Sequence, residues 1–375
     1  MTIRNLHIVD ILGLAGLEQV VIRICNKLDK TEFSCSICAI NGIRDDAKCL
    51  LNDDVSVYSL ARCKNEFARI LELYKIIQAE KIDVLHSHNW GTFPVAFMAA
   101  KLSGVKAVFH TEHGRNSLDP RISLKREFFT NLFYPKINKV FCVSGELKDY
   151  FQAKFKLKNN DLEVVYNGVP LEVYEPQRKN PLIMKSLNLH DSDLVIGTVA
   201  IPRPVKNLNF CLDVLKSLLE KGFVAKLLLV GGDLSGEGIQ DLRNYAEAIG
   251  VKQHVIFTGR SNDIPALLSV FDLYLNSSVF EGTSCSIIEA LSCGVPVVAS
   301  RVGGNPEIVV DNENGFTFSF NDLGDCVSSV IKIMSDIDLR RRLSYASREM
   351  AIQRFSLSRQ VALIGSAYRK SLCKQ

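Results

Sequence analysis

Short apolar runs alternate with longer amphipathic stretches along most of the chain, the pattern of parallel strands joined by crossover helices. In the first half, strands are predicted near Leu6–Ile11, Phe33–Ala39, Val55–Tyr58, Val84–His86, Ala107–His110, Lys139–Val143 and Glu163–Val165. Helices are predicted to begin near Glu18, Glu66, Thr92, Ser123 and Glu146. The pattern weakens from Pro170 to Asp193, where Pro170, Pro176, Pro181 and several charges read as a linker. It restarts with strands near Leu194–Ala200, Lys226–Val230, His254–Thr258, Leu273–Asn276 and Val295–Ala299. Between these lie predicted helices near Leu208–Lys221, Gly238–Ile249, Ile264–Val270 and Ser284–Ser292. From Asn321 to Ser371 the pattern is helical, with breaks near Ser335–Asp338 and Phe355–Leu357.

These periods predict an α/β chain of two doubly wound domains. The expected division is residues 1–169, a linker over 170–193, a second domain over 194–354, and a terminal helix over 355–375 crossing back to the first domain. A length of 375 residues exceeds one ordinary core and fits two domains of about 150 to 200 residues. Open parallel sheets bind ligands outside the carboxyl ends of their strands, so the glycine-rich turns are expected to line a cleft between two such domains.

Composition narrows the class. An apolar fraction of 47% with 23% charged residues is that of a soluble globular protein. Formal net charge is +4, yet residues 101–160 hold 12 Lys/Arg against 5 Asp/Glu. Such a patch suits an anionic lipid surface or a phosphorylated substrate, and equally a solvated face. No nucleic-acid-binding motif accompanies it. The 11 cysteines show no CxxC pairs and no histidines at zinc spacing, which fits reduced thiols in a cytosolic protein. The opening run MTIRNLHIVDILGLAGLEQVV is interrupted by Arg4, His7 and Asp10 and does not read as a signal peptide. No stretch reaches the ~18 uninterrupted apolar residues of a membrane span.

The densest chemistry lies in FEGTSCSIIEALSCGVPVVASRVGGNPEIV, from Phe280 to Val309. Glu281-Gly282-Thr283-Ser284 forms a turn after a strand, and the helix that follows carries Glu289. Gly282 allows close backbone approach, and a helix start presents unpaired N–H groups to an anion such as a diphosphate. A carboxylate accepts two hydroxyl hydrogen bonds, as a ribose diol or sugar requires. Singly, Glu281 reads as a helix-start charge and Glu289 as a surface ion-pair partner. Together they point to a nucleotide-sugar site.

This stretch closely resembles the glutamate-x7-glutamate region of glycosyltransferase family 4, and the likeness extends over nearly the whole chain. The resemblance implies a GT-B fold, two Rossmann-like domains facing a central cleft with C-terminal helices, and retention of anomeric configuration. It implies donor binding through Gly282, Thr283, Ser284 and Glu289, with Glu281 orienting the donor. Ala15-Gly16-Leu17-Glu18 looks like the family's glycine-rich first turn, with alanine where a first glycine usually stands. In HTEHGRNS, His113 is the implied donor-sugar histidine, and Arg115 beside it an acceptor-phosphate contact. His86 and His88 end a strand, but the pair lacks a third ligand for a metal. Asn167-Gly168 in VVYNGV resembles the turn before the linker.

Departure of a nucleoside diphosphate needs cations aimed at its oxygens. The family usually supplies an arginine five residues before a lysine. In AIPRPVKN the lysine is Lys206, but the arginine position is Ile201 and the nearest arginine is Arg203. Gly231, Gly259 and Arg260 resemble the turns that approach the nucleotide, while Asp263 reads as a helix N-cap. Asp191–Asp193 reads as a turn, so neither a divalent metal nor a separate cofactor is expected.

The expected enzyme is thus a cytoplasmic hexosyltransferase that takes a nucleoside diphosphate sugar, UDP-sugar favoured, to a glycan or lipid-linked acceptor in bacterial surface polysaccharide synthesis. The basic aromatic segment Ser123–Lys139 reads equally as a helix on the inner membrane face and as one packing its aromatics inward. Two other classes remain. A non-catalytic sugar-nucleotide scaffold is kept open by Ala15 and Ile201, and an epimerase on a related fold is disfavoured by the acid pair and GGNPE.

Overall fold

The computed structural model describes residues 2–114, 124–155, 157–158, 161–233 and 235–373. Two compact units emerge, Met1–Gly168 with Leu357–Gln375, and Val169–Ser356.

The first unit runs β1 (Ile3–Val9), α1 (Gly16–Lys27), β2 (Phe33–Ala39), α2 (Asp45–Lys48), β3 (Ser56–Ser59), α3 (Glu66–Ala79), β4 (Val84–His88), α4 (Phe93–Ser103), β5 (Ala107–Glu112), α5 (Leu124–Phe133), β6 (Lys139–Cys142), α6 (Gly145–Lys154) and β7 (Leu162–Val164). Its sheet order is β3-β2-β1-β4-β5-β6-β7, with every pairing parallel. Leu6, Ile8, Val84, Leu85 and Phe109 are sealed within it, the burial on both faces that a helix-covered parallel sheet demands. Helix starts are chemically marked. Asn65 accepts from the Ala68 N–H and Ser144 from the Leu147 N–H, each cap holding its helix by about 1 kcal/mol.

The second unit contains α7 (Pro181–Ser186), β8 (Leu194–Val199), α8 (Leu208–Glu220), β9 (Ala225–Val230), α9 (Glu237–Ala248), β10 (Val255–Gly259), α10 (Ile264–Leu268), β11 (Leu273–Asn276), α11 (Cys285–Ser292), β12 (Val297–Ser300), α12 (Asn305–Ile308), β13 (Gly315–Phe318), α13 (Leu323–Ser335) and α14 (Ile337–Arg354). Its sheet order is β10-β9-β8-β11-β12-β13, again parallel. Helix α8 buries Cys211, Leu212, Val214, Leu215 and Leu218, a stripe at i, i+1, i+3, i+4 and i+7 against the sheet. Truncating Leu215 to alanine removes about 2–5 kcal/mol. The last helix, α15 (Leu357–Leu372), belongs to the first unit, where Gln360 accepts the Gly168 N–H at 2.9 Å.

The alternation of strand and helix was legible, with differences at the weak points. Residues 170–193, read as a linker, belong to the second unit and carry α7, capped by Asn180. Lys179 there reaches Asp272 at 2.8 Å. Strand β13 was not predicted, because its sequence GFTF offers only two large apolar residues directly after the polar turn DNEN and reads as a continuation of that loop. Helix α5 is described from Leu124, so the expected start at Ser123 lies outside the described residues. All 11 cysteines are free, and most are buried as small core residues.

Candidate functional site

In the second unit the chain winds outward from β8 to β10 in one direction and from β11 to β13 in the other, so the topological switch lies between β8 and β11. Ligands of open parallel sheets bind at that point, beyond the carboxyl ends. The two loops leaving these strands carry Lys206 and Glu281.

Backbone and hydroxyl groups lace the two loops together. Val279 donates its N–H to the Val205 carbonyl at 2.8 Å. Ser277 Oγ donates to the carbonyls of Lys206 and Asn207, at 3.0 and 2.9 Å. Lys206 ends a 3-10 turn, Pro204–Lys206, and Asn207 then adopts a left-handed φ of 49° to start α8. The result places Lys206 Nζ 2.7 Å from Glu281 Oε1. The same oxygen accepts from Ser278 Oγ at 2.7 Å and Asn276 Nδ2 at 3.4 Å. Asn305 Nδ2 holds Asn276 Oδ1 at 3.1 Å and the Ser300 carbonyl at 3.0 Å. Thus the ammonium is steered by a carboxylate that is itself fixed on several sides.

Helix α11 begins just beyond, with Ser284 at its N-cap making no side-chain cap bond. Its first-turn N–H groups suit an anion beside the Lys206 cation. Tyr274 secures this turn: its hydroxyl donates to Ser286 Oγ at 2.8 Å, and burial raises its pKa and keeps it neutral. Gly282, Thr283 and Ser284 fill the loop, and Glu289 is buried in the fifth position of α11. Gly231 and Gly259 close the neighbouring strand ends, the Gly231 N–H meeting the Gly259 carbonyl at 2.9 Å. A Cβ on Gly231 would sit 2.1 Å from the Ala200 oxygen, and its φ of 128° likewise requires glycine. Arg260 follows directly. Gly303, at φ 50°, passes so close to Glu281 that a Cβ would lie 1.8 Å from its carbonyl oxygen.

Arg203 precedes Lys206 by three residues, is exposed, and has no side-chain partner among the described residues. Ile201 is half-buried, and its aliphatic side chain offers no cation. Asp263 caps α10 through the Ala266 N–H at 3.1 Å, and Asp193 closes a turn by accepting from the His190 N–H at 2.8 Å. Both acids therefore act on local backbone.

In the first unit the switch lies between β1 and β4. After β1, Ala15 caps α1 in extended conformation, and a Cβ on Gly16 would meet nothing within 4 Å. Strand pairing sets His7 opposite His86. His7 Nδ1 lies 2.9 Å from His88 Nε2, and His88 Nδ1 lies 3.0 Å from His113 Nε2. His86 bonds Tyr368 and Thr111 hydroxyls at 2.6 and 2.7 Å. Burial drives the pKa of His7 and His113 down to about 3, and those of His86 and His88 well below their ordinary value. His7 is the third histidine that sequence reading did not attach to the pair, and ligand atoms of His7, His86 and His88 lie within 4.8 Å of one another. These rings already bind one another and nearby hydroxyls, and the trio includes no carboxylate to balance a buried cation. The arrangement is a hydrogen-bonded stack. Arg115 lies outside the described residues.

Sequence reading missed Asn276, Ser277, Ser278, Ser300, Gly303 and Asn305 as supports of the site. Their signal was a run of small polar residues where strand ends should be apolar, in LNSS, VVAS and GGNPE.

Two family profiles divide the chain between them. The profile described as "Glycosyltransferase Family 4" matches residues 14–173, and "Glycosyl transferases group 1" matches residues 179–350. Among curated relatives, an Escherichia coli UDP-Gal:alpha-D-GlcNAc-diphosphoundecaprenol alpha-1,3-galactosyltransferase is 27% identical, over 95% of this chain and 94% of its own. Among solved structures, a glycosyltransferase from Rickettsia africae superposes with a TM-score of 0.87 at 19% identity, covering 99% of each chain. Anabaena HepE, solved in complex with UDP, follows at 0.83 and 20%, covering 99% of this chain and 100% of its own. With its two parallel-sheet units, this chain is a glycosyltransferase family 4-like protein of the GT-B fold.

Proposed function

We propose that the protein is a retaining hexosyltransferase that moves a sugar from UDP-sugar to a hydroxyl of a glycan or lipid-linked acceptor in bacterial surface polysaccharide synthesis. The observation that carries this reading is Lys206 Nζ held 2.7 Å from Glu281 at the switch point, beside the start of α11. A fixed cation and a helix N-terminus are what a departing diphosphate requires. The UDP donor and undecaprenol-linked acceptor in the Escherichia coli relative's name, and UDP in the HepE complex, support the choice of substrates.

In this reading Lys206 and Arg203 neutralise the diphosphate, Glu289 grips the ribose, and Gly231, Gly259 and Arg260 approach the nucleotide. Glu281, His113 and the Gly282–Ser284 backbone orient the donor, while Ala15 and Gly16 leave room for it. The reaction proceeds on one face. The bond from the anomeric carbon to the phosphate oxygen breaks, the acceptor oxygen bonds that carbon from the same side, and its proton passes to the departing phosphate. No divalent metal is required. The exposed stripe Leu124, Phe128 and Leu132 on α5, with Lys136 and Lys139 beyond it, suits peripheral contact with the inner membrane face.

The test is thermal unfolding with a metal-free panel of UDP, GDP, ADP and their sugars. A ligand at ~100 times its dissociation constant adds about 2.7 kcal/mol of stability. Stabilisation by uridine compounds, lost in Glu289→Ala, is expected. No response to any nucleotide overturns the donor assignment.

A further inference from the structure

We infer that His7 and His88 are positioning residues, a one-way hydrogen-bond chain that holds His113 with its ring proton on Nδ1, ready to donate to a ligand oxygen. The inference rests on the proposed role of His113 at the donor sugar.

A neutral imidazole has one N–H and one lone pair. Each nitrogen–nitrogen contact therefore needs one ring to donate and the other to accept. His88 takes part in two such contacts, at 2.9 Å to His7 and 3.0 Å to His113, so both must run in the same direction. Either His7 Nδ1 donates to His88 Nε2 and His88 Nδ1 donates to His113 Nε2, or all the protons sit the other way.

The far end decides. His7 Nε2 is buried and has no hydrogen-bond partner among the described residues. In the reversed arrangement it would carry a buried N–H without an acceptor, among the rarest and costliest of polar defects. In the forward arrangement it keeps only a lone pair. The forward chain leaves His113 Nε2 accepting and puts its proton on Nδ1, the ring nitrogen without a protein partner among the described residues.

The surroundings keep the rings in place. His86 stacks on His88 with centroids 4.4 Å apart and is itself tied to Thr111 and Tyr368. The His113 backbone N–H donates to Asn89 Oδ1 at 3.0 Å, and the Asn89 N–H donates to the Thr111 carbonyl at 2.9 Å. Burial keeps the chain uncharged, as the depressed pKa values of His7 and His113 require.

Long-range proton–nitrogen correlation spectra of the full-length protein read the tautomer directly, and seven histidines are few enough to assign by single substitutions. The expected result is a neutral His113 protonated on Nδ1. His88→Leu should shift that proton toward Nε2, whereas His88→Asn, whose amide N–H replaces the Nδ1 donor, should retain it. If His88→Leu does not fold, His7→Leu removes the upstream donor and should give a mixture. Loss of one such hydrogen bond should lower UDP-sugar transfer by up to about tenfold in His88→Leu, with UDP affinity unchanged and transfer restored in His88→Asn. A wild-type His113 protonated on Nε2, or an Nδ1 proton that persists in both leucine variants, overturns the chain. The expected tautomers with His113→Ala fully active would leave the chain standing and overturn the role of His113 at the donor.

Discussion

Gly303→Ala tests whether the Lys206–Glu281 geometry governs turnover, without altering either charged group. Gly303 has a φ of 50°, and a Cβ there would lie 1.8 Å from the Glu281 carbonyl oxygen and 2.9 Å from its carbon. The left-handed conformation costs an alanine about 1–2 kcal/mol. The Glu281 carbonyl also accepts the Gly304 N–H at 3.2 Å, a bond worth about 1 kcal/mol that the clash would strain. The expected stability loss is therefore about 2–3 kcal/mol. To relieve the contact, the Glu281 backbone has to retreat by about 1 Å, a misplacement that can lower a rate ~10²-fold when it reaches catalytic groups. Urea unfolding measures the first effect, and the initial rate of UDP release from the donor identified by thermal shift measures the second. Gly250→Ala is the control: its φ is 79°, but a Cβ there meets nothing within 4 Å, so it should lose stability and keep turnover. Wild-type turnover in Gly303→Ala would refute the link between this backbone contact and catalysis.

Three further outcomes are expected. Arg203→Ala should lower turnover by about 10²–10³-fold if this exposed arginine supplies the second cation, whereas Ile201→Arg should then bring no gain; the opposite pair of results would mean that the native site lacks a second cation and is weakened. Stability should fall on acidification from pH 6.5 toward 3, because the unfolded chain protonates histidines that the native state holds neutral, His7 and His113 having pKa values near 3. The slope is up to about 1.4 kcal/mol per pH unit for each such group, stability rising with pH through this window and levelling above it, and His7→Asn should flatten it in pH-dependent urea titrations. Asp263→Ala should cost about 1 kcal/mol of stability with no change in UDP affinity by calorimetry, because its carboxylate caps α10.

The local periods of the chain determined the two sheets and nearly every helix over four residues long, since alternating apolar runs and amphipathic stretches report which faces must be buried. Spacing in the Glu281–Glu289 stretch and the lysine of AIPRPVKN marked the loops of the candidate site. Strand β13 and helix α7 escaped because their flanks carry the signal of loops, a polar DNEN turn before GFTF and a run of prolines and charges around PLIMKS. What only tertiary structure decided is which loops meet. Lys206 and Glu281 are 75 residues apart and touch because β8 and β11 are neighbours at the point where the sheet reverses its winding. His7 and His88 are 81 apart and touch because parallel pairing sets His7 opposite His86. Register between distant strands depends on the packing of the whole sheet, so no local run of residues encodes it.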